Sequence, residues 1–373
     1  MYDLYALANT WDSRGETLAQ RLVIAGFDGF VDEFISVVAE RQSLDSFAAV
    51  ADIPSFAAWV QAAAGRSSLK EIVVRQQDAG GCAVNLGDGL LGLGIPLDLY
   101  ATLGNPIQAP FHSIVDRCRK VESWCSLPGR TLAFEFNDGK LMFPSVSQLG
   151  ELDVAFLKQA IEQGDYRTSC QEAQLIAFTD WTLYPHMTAC WSYLQEAVLA
   201  QCSHRPWIFI DLVDPRARAR EDIAAMLRVL SGFQNHGRTV LGLNLNEAIA
   251  VGDVLGLGAA EDDDTSMPTL AAGIRSALDI EQVVIHAIHY AAMADANHTH
   301  AVPGPYCAAP KRSVGAGDRF NAGYCASLLL DLDPEACLLS GNASSGFFVR
   351  QARSASTQEL AAFIRQWHDG ACA

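Results

Sequence analysis

Short apolar runs alternate with longer amphipathic stretches through most of the chain. Runs at 22–25, 97–101, 175–178, 207–211, 239–243 and 282–285 are rich in Val, Ile, Leu and aromatic residues and predict buried strands. Helical periodicity fills the stretches at about 82–93, 110–120, 153–163, 186–201, 221–230 and 268–278. Repeated alternation of this kind predicts an α/β fold, a mainly parallel central sheet covered by helices on both faces. Three more helices, near 317–330, 334–350 and 357–367, follow with no strand between them.

Two places break the alternation. Residues 130–146 read as two strands around Asn137-Asp138-Gly139-Lys140, where Asp-Gly suits a tight hairpin turn. Residues 31–40 form an extended run directly after the first core strand, with 71–76 as a third piece. Together these predict a small β lid inserted into a single unit spanning 1–373.

Composition narrows the function. Among 373 residues, 26 Lys and Arg face 43 Asp and Glu, giving a formal charge of −17, and half of the residues are hydrophobic. Charge-driven disorder is excluded, and an acidic chain lacks the basic footprint for nucleic acid or an anionic membrane. Residues 1–20 lack the basic start and apolar core of a secretory signal, and no run of about 18 apolar residues could span a bilayer. A cytoplasmic location is expected. The ten cysteines include no Cys-x-x-Cys pair and read as reduced core residues.

The sharpest chemical signal is Ser313-Val314-Gly315-Ala316-Gly317-Asp318-Arg319-Phe320-Asn321-Ala322-Gly323. Small residues at 315–317 let the backbone approach a ligand, and the helix that follows supplies unpaired N–H groups and a positive dipole end, an anion hole. Asp318 stands where a carboxylate could accept the proton of an attacking hydroxyl, or simply cap the helix. Far upstream, Asp78-Ala79-Gly80-Gly81-Cys82-Ala83-Val84-Asn85 also joins a strand to a helix, and Asn85 can both donate to and accept from sugar hydroxyls. Gly26-Phe27-Asp28-Gly29-Phe30-Val31-Asp32 adds two carboxylates at the end of the first core strand.

These three pieces, in this order, resemble the PfkB family of carbohydrate kinases, the ribokinase-like superfamily. The Gly80-Gly81 step with Asn85 is similar to the first family signature. The stretch from Gly315 to Asp318, with Asn321-Ala322-Gly323, is similar to the second. Asn244-Leu245-Asn246-Glu247 is similar to the family's Asn-x-x-Glu, and the likeness runs from about Val23 to Ile364.

The resemblance implies a three-layer α/β/α fold with a β lid and an ATP-dependent kinase acting on a hydroxyl, expected to be primary, of a sugar or sugar-like alcohol. It assigns Asp318 as base and the amides of Gly315, Ala316 and Gly317 as anion hole. Gly80, Gly81, Asn85 and one of Asp28 or Asp32 would hold the acceptor, with Asp32 favoured. Asn244 and Glu247 would organise Mg2+, Glu247 through water, and Asn342 would line the adenine pocket. The family sometimes uses a monovalent cation such as K+, and often pairs lids into homodimers. A ribokinase-like protein that binds a sugar or nucleoside without turnover, or a nucleoside kinase, is the alternative.

Three stretches depart from the family pattern. Asn105-Pro106-Ile107-Gln108-Ala109 replaces an Asp-x-x-Gly loop, and Asp211-Leu212-Val213-Asp214-Pro215-Arg216 keeps an Asp-Pro-Asn-x-Arg pattern only loosely. Where a glycine-containing turn should meet the nucleotide, the chain reads His286-Ala287-Ile288-His289-Tyr290. Phe134 and Phe136 would stack a nucleoside if they faced inward. Gly87-Asp88-Gly89-Leu90-Leu91-Gly92 matches a dinucleotide fingerprint in letters, but lies inside a helix and so fails its structural requirement. His286, His289, His298 and His300 match no zinc spacing.

Overall fold

A computed structural model describes residues 3–372, so the outermost ends of the expected 1–373 unit lie outside the described residues. In chain order the strands are β1 (Val23–Gly26), β2 (Phe30–Arg41), β3 (Phe47–Ala49), β4 (Ile72–Gly80), β5 (Leu97–Ala101), β6 (Lys120–Ser123) and β7 (Gly129–Phe136). They continue with β8 (Gly139–Ser145), β9 (Leu175–Phe178), β10 (Trp207–Asp211), β11 (Arg238–Asn244), β12 (Gln282–His286), β13 (Tyr290–Ala294) and β14 (Thr299–Pro303). The central sheet runs β14-β13-β12-β11-β10-β9-β1-β5-β6, parallel from β12 to β6 and antiparallel at β12-β13-β14.

Strand period two explains the layers. Ile24, Ile176, Ile208 and Leu241 point into one apolar core, while Val23, Ala25, Leu175, Phe209 and Val240 point into the other. Every residue of β1 is buried, as a strand covered on both faces requires. Full burial of one such Leu, Ile or Val side chain stabilises the fold by about 1.5–3 kcal/mol.

The second sheet is the lid. β2 starts a few residues after β1 ends and carries β4 antiparallel on one side and β7 parallel on the other. β7 and β8 form the hairpin expected around Asn137-Asp138, and β3 pairs with the far end of β2. The lid is thus rooted in the segment that bears Asp28 and Asp32.

Some expectations need correction. The helix expected at 110–120 is a 3-10 turn at Ala109–Phe111 and a single turn at His112–Val115, after which Lys120–Ser123 pairs with β5 as an edge strand. A free sheet edge outweighed the local helical pattern there. β13 and β14 were not anticipated, because Tyr-Ala-Ala-Met-Ala lacks the usual β-branched signal. Nor was the helix Ile53–Ala62, capped by Asp52, whose side chain accepts from Ser55 N at 2.7 Å. Its Phe56 packs on Phe134 and Phe136, with ring centroids 6.0 and 5.4 Å apart. Both aromatic residues belong to the lid's own cluster and are not free to stack a nucleoside.

The C-terminal helices are Ala316–Leu329, Pro334–Gln351 and Thr357–His368. The helix Ala316–Leu329 crosses Cys82–Gly92 so closely that a Cβ on Gly89 would lie 2.5 Å from that of Ala322. Glycine at 89 permits this crossing, which sets the two glycine-bearing helix starts side by side. Among the described residues no helix is long and apolar enough to cross a membrane.

Candidate active site

Asp28 is fully buried and acts as a clamp. Its carboxylate accepts from the backbone N–H of Cys82, from Ala83 N at 2.8 Å and from the Thr179 hydroxyl at 2.5 Å. The donors at Cys82 and Ala83 are first-turn amides of the helix Cys82–Gly92, which has no cap from its own preceding side chain. Burial raises the Asp28 pKa even though these donors oppose it. Asp32, four residues on, lies beside Gly80 and is hydrogen-bonded by Thr131; burial raises its pKa too. Gly80 leaves no room for a side chain against that carboxylate.

The second turn starts at Gly315, whose φ of +87° is a left-handed conformation that glycine adopts without strain. Gly315 occupies the cap position of the helix Ala316–Leu329, and no side chain caps that helix. Asp318 therefore does not cap it and instead stands in the first turn as a half-buried carboxylate. Burial and the nearby Asp211 and Asp28 push its pKa up to about 7; Arg319 and the Cys82 thiol act in the opposite direction. A carboxylate that titrates near neutrality is suited to accept a proton.

Further carboxylates gather under this turn. Asp211 accepts from Asn321 Nδ2 at 2.6 Å and has its pKa pushed up to about 6, chiefly by burial. Asp180 is buried, accepts from Leu183 N at 3.0 Å through Oδ1 and leaves Oδ2 without a partner. Asn244 and Glu247 form a reciprocal capping box, with Asn244 N donating to Glu247 Oε2 at 2.9 Å and Glu247 N to Asn244 Oδ1 at 3.0 Å. Burial, then Asp211, raises the Glu247 pKa well above its usual value. Among the described residues no three His, Cys, Asp or Glu side chains converge as direct metal ligands. The acidic surround nonetheless fits a hydrated cation held at the outer shell.

On the far side of the turn lies a cavity of about 800 Å³, lined by Asn244, His286, His289, Tyr306, Gly317 and Asn342 among others. Asn342 donates to Pro303 O at 3.1 Å, and His289 stacks on Tyr306 at 5.0 Å. His286 takes up the space beside Gly317: a Cβ there would be 2.9 Å from its Cε1. Its ring packs against Phe320 at 4.9 Å, and burial lowers its pKa to about 4, so it is neutral. On the lid side a hollow of about 530 Å³ is lined by Phe34, Gln76, Asp78, Lys140, Arg312 and Ser313.

The structure thus places Asn85, Gly315 and Asp318 together, Gly80 with Asp32, and Gly81 with Asp28. It puts Asn342, Asn244 and Gly317 around one cavity. The exposed Arg216 pairs with Asp214 through Nε at 2.8 Å and does not line this cavity. Asp180, Thr131, Arg312 and the Asp88–Arg319 pair escaped the sequence reading. Asp180 follows directly on β9, and its place at the carboxyl end of a parallel strand was the available clue.

Comparison with known proteins decides the family. A model of the prokaryotic ketohexokinase family matches residues 5–367. The chain belongs to that family. It is 29% identical over 372 residues to a ketohexokinase of Haloferax volcanii, covering 96% of each chain. The fold is shared with a ribokinase from Thermotoga maritima, with TM-score 0.63, 15% identity and coverage of 92% of this chain and 98% of the other. A phosphofructokinase-2 mutant from Escherichia coli gives TM-score 0.62 at 13% identity, covering 94% and 99%. The protein is a carbohydrate kinase with a ribokinase-like fold, the class and architecture expected from the two glycine signatures, and kinases of this family use ATP.

Proposed function

We propose that the protein transfers the γ-phosphate of ATP to a primary hydroxyl of a ketohexose. The observation that carries this reading is the meeting of Asn85 and Gly315: a Cβ on Gly315 would lie 3.4 Å from Asn85 Nδ2. Asp32, Gly80, Gly81 and Asn85 seat the sugar, while Asp28 holds the two acceptor loops together. Asp318 takes the proton of the hydroxyl as its oxygen attacks phosphorus. The amides of 315–317 have no side-chain cap, although Ala316 N donates to Ser313 O at 3.1 Å, and they receive the charge that develops on the phosphoryl oxygens.

Charge on the acceptor side supports a sugar without a phosphate. Arg312 faces Asp78 at 3.4 Å, Lys140 faces Glu135 at 3.0 Å, Arg75 faces Glu135 at 3.7 Å and Arg130 faces Glu33 at 2.5 Å. These four cations face three carboxylates, Glu135 being shared by Arg75 and Lys140, so at most one positive charge is left over against the dianion of a sugar phosphate.

The nucleotide would occupy the cavity containing Asn342, and Asn244 and Glu247 would hold Mg2+ through its water shell. When bound, Mg2+ neutralises charge on the ATP phosphates. The lid closes over the sugar and excludes water, which would otherwise compete as acceptor. It is also the face through which a homodimer would form.

The test is ATP consumption by the full chain against ketohexoses, aldohexoses, sugar phosphates and nucleosides, with direct binding measured in parallel. Preferred turnover of an unphosphorylated ketohexose is expected. Binding without turnover on every acceptor would refute the reading.

A further inference from the structure

Arg319 follows Asp318 in the chain and is buried, with 7% of its surface exposed. A buried guanidinium needs a carboxylate and acceptors for its remaining donors. Nη2 donates to Asp88 Oδ2 at 2.7 Å and Nε to Ser354 Oγ at 3.2 Å, while Ser354 Oγ donates to the same Asp88 oxygen at 2.6 Å. The other Asp88 oxygen accepts from Arg117, and the guanidinium lies over the Phe348 ring at 4.5 Å. Asp88 stands on the helix Cys82–Gly92, one turn beyond Asn85.

The same guanidinium reaches the glycine turn. Nη1 lies 2.8 Å from the position a Cβ on Gly315 would take. One side chain therefore touches the acceptor-side helix, the underside of the anion hole and the helix Pro334–Gln351. Around Asp318, the carboxylates of Asp211 and Asp28 disfavour its charge, the Cys82 thiol interacts with it, and Arg319 is the cation that favours it. Glu247 also lies within the electrostatic reach of Asp318.

We infer that Arg319 is a positioning residue: paired with Asp88, it fixes the turn 315–318 against the acceptor-side helix and places a positive charge behind Asp318. The inference rests on the kinase reading and adds to it the device that keeps acceptor and base in register. A bidentate-capable, planar cation is suited to this, because its fork holds direction as well as charge. Small misplacements of an acceptor relative to its base cost large factors in rate.

Three variants of the full chain separate position from charge. Arg319→Gln removes the charge, Arg319→Lys keeps the charge without the fork, and Asp88→Asn leaves the guanidinium without its carboxylate. Steady-state kinetics are read beside a 13C-carboxyl NMR titration of Asp318, assigned through Asp318→Asn. Arg319→Gln is expected to raise KM for the ketohexose and lower kcat, each at least about fivefold, with KM for ATP within about twofold. It should move the Asp318 midpoint up by about half a pH unit or more, whereas Asp88→Asn should move it down. Arg319→Lys should keep the midpoint but not the sugar KM.

The inference is overturned if folded Arg319→Gln keeps both the sugar KM and the midpoint of the parent. It is equally overturned if Arg319→Gln and Asp88→Asn shift the midpoint in the same direction. If Arg319→Gln does not melt cooperatively, Arg319→Lys and Asp88→Asn decide: an unshifted midpoint in Asp88→Asn overturns the inference. The NMR titration needs no turnover, so absence of any sugar phosphorylation would refute the kinase reading while the midpoints still judge Arg319.

Discussion

A Cβ built on Gly315 would stand 3.4 Å from Nδ2 of Asn85. The two residues lie in different thirds of the chain and meet because their helices cross through Gly89 and Ala322. The same crossing brings the Cys82 thiol to the Asp318 carboxylate, so the proposed acceptor seat and the proposed proton acceptor share a wall.

Gly315→Ala should damage the site from two directions. A left-handed φ of +87° costs a side-chain-bearing residue about 1–2 kcal/mol, and the new methyl would lie 2.8 Å from Arg319 Nη1. Steady-state assays should show kcat/KM lowered by about tenfold or more.

Asp318→Asn should lower kcat by at least about 10²-fold with the fold intact. Calorimetric titration of the sugar should give an affinity within a few-fold of the parent, because the residue acts on the proton and not on the seat. Near-normal turnover would remove Asp318 from the role of base.

The two carboxylates of the first loop should part company. Asp28→Ala leaves the N–H groups of Cys82 and Ala83 and the Thr179 hydroxyl without their acceptor, and should destabilise the protein by about 2–4 kcal/mol in urea unfolding. Asp32→Ala relieves a carboxylate that burial disfavours, so stability should hold while KM for the sugar rises by about tenfold.

Acidity should act on rate and stability in opposite senses. Asp318 must be ionised to accept a proton, so kcat/KM for the sugar should rise as pH increases through about 7. For stability, the unfolded chain loses that proton near the ordinary value of 3.8 while the folded chain keeps it to about 7. The folded state binds more protons across this window, so stability falls as pH rises through it, and Asp211, raised to about 6, adds in the same sense. Thermal melts of the ligand-free protein at pH 5 and pH 8 should show the lower Tm at pH 8.

His286→Ala should act on the nucleotide alone. The neutral imidazole borders Gly317 and the cavity that holds Asn342, away from Asp32. An increase of about threefold or more in KM for ATP is expected, with KM for the sugar unchanged. Equal effects on both substrates would move His286 out of the nucleotide pocket.

The chain carried much of this in local form. Short continuous apolar runs give β1, β5 and β9 to β12, because a strand buried on both faces can tolerate little else. The turns at 80–85 and 315–318 are equally readable, since close backbone approach to a ligand restricts the residues allowed there. The β7–β8 hairpin follows from Asn137-Asp138-Gly139. These features are encoded within a few neighbouring residues.

Contacts between distant segments have no such signature. That Asp28 is taken up by the amides of the helix Cys82–Gly92 while Asp32 is bonded by Thr131 depends on where that helix docks. Phe134 and Phe136 turned into the lid because the helix Ile53–Ala62 covers them. β13 formed from an alanine-rich run because β12 offered it an unpaired edge, and Arg319 found Asp88 through the crossing at Gly89. Local sequence determined the elements and the glycine turns; the docking of helices and lid decided which charges face one another, because burial and electrostatic partnership arise only once separate segments exclude water together.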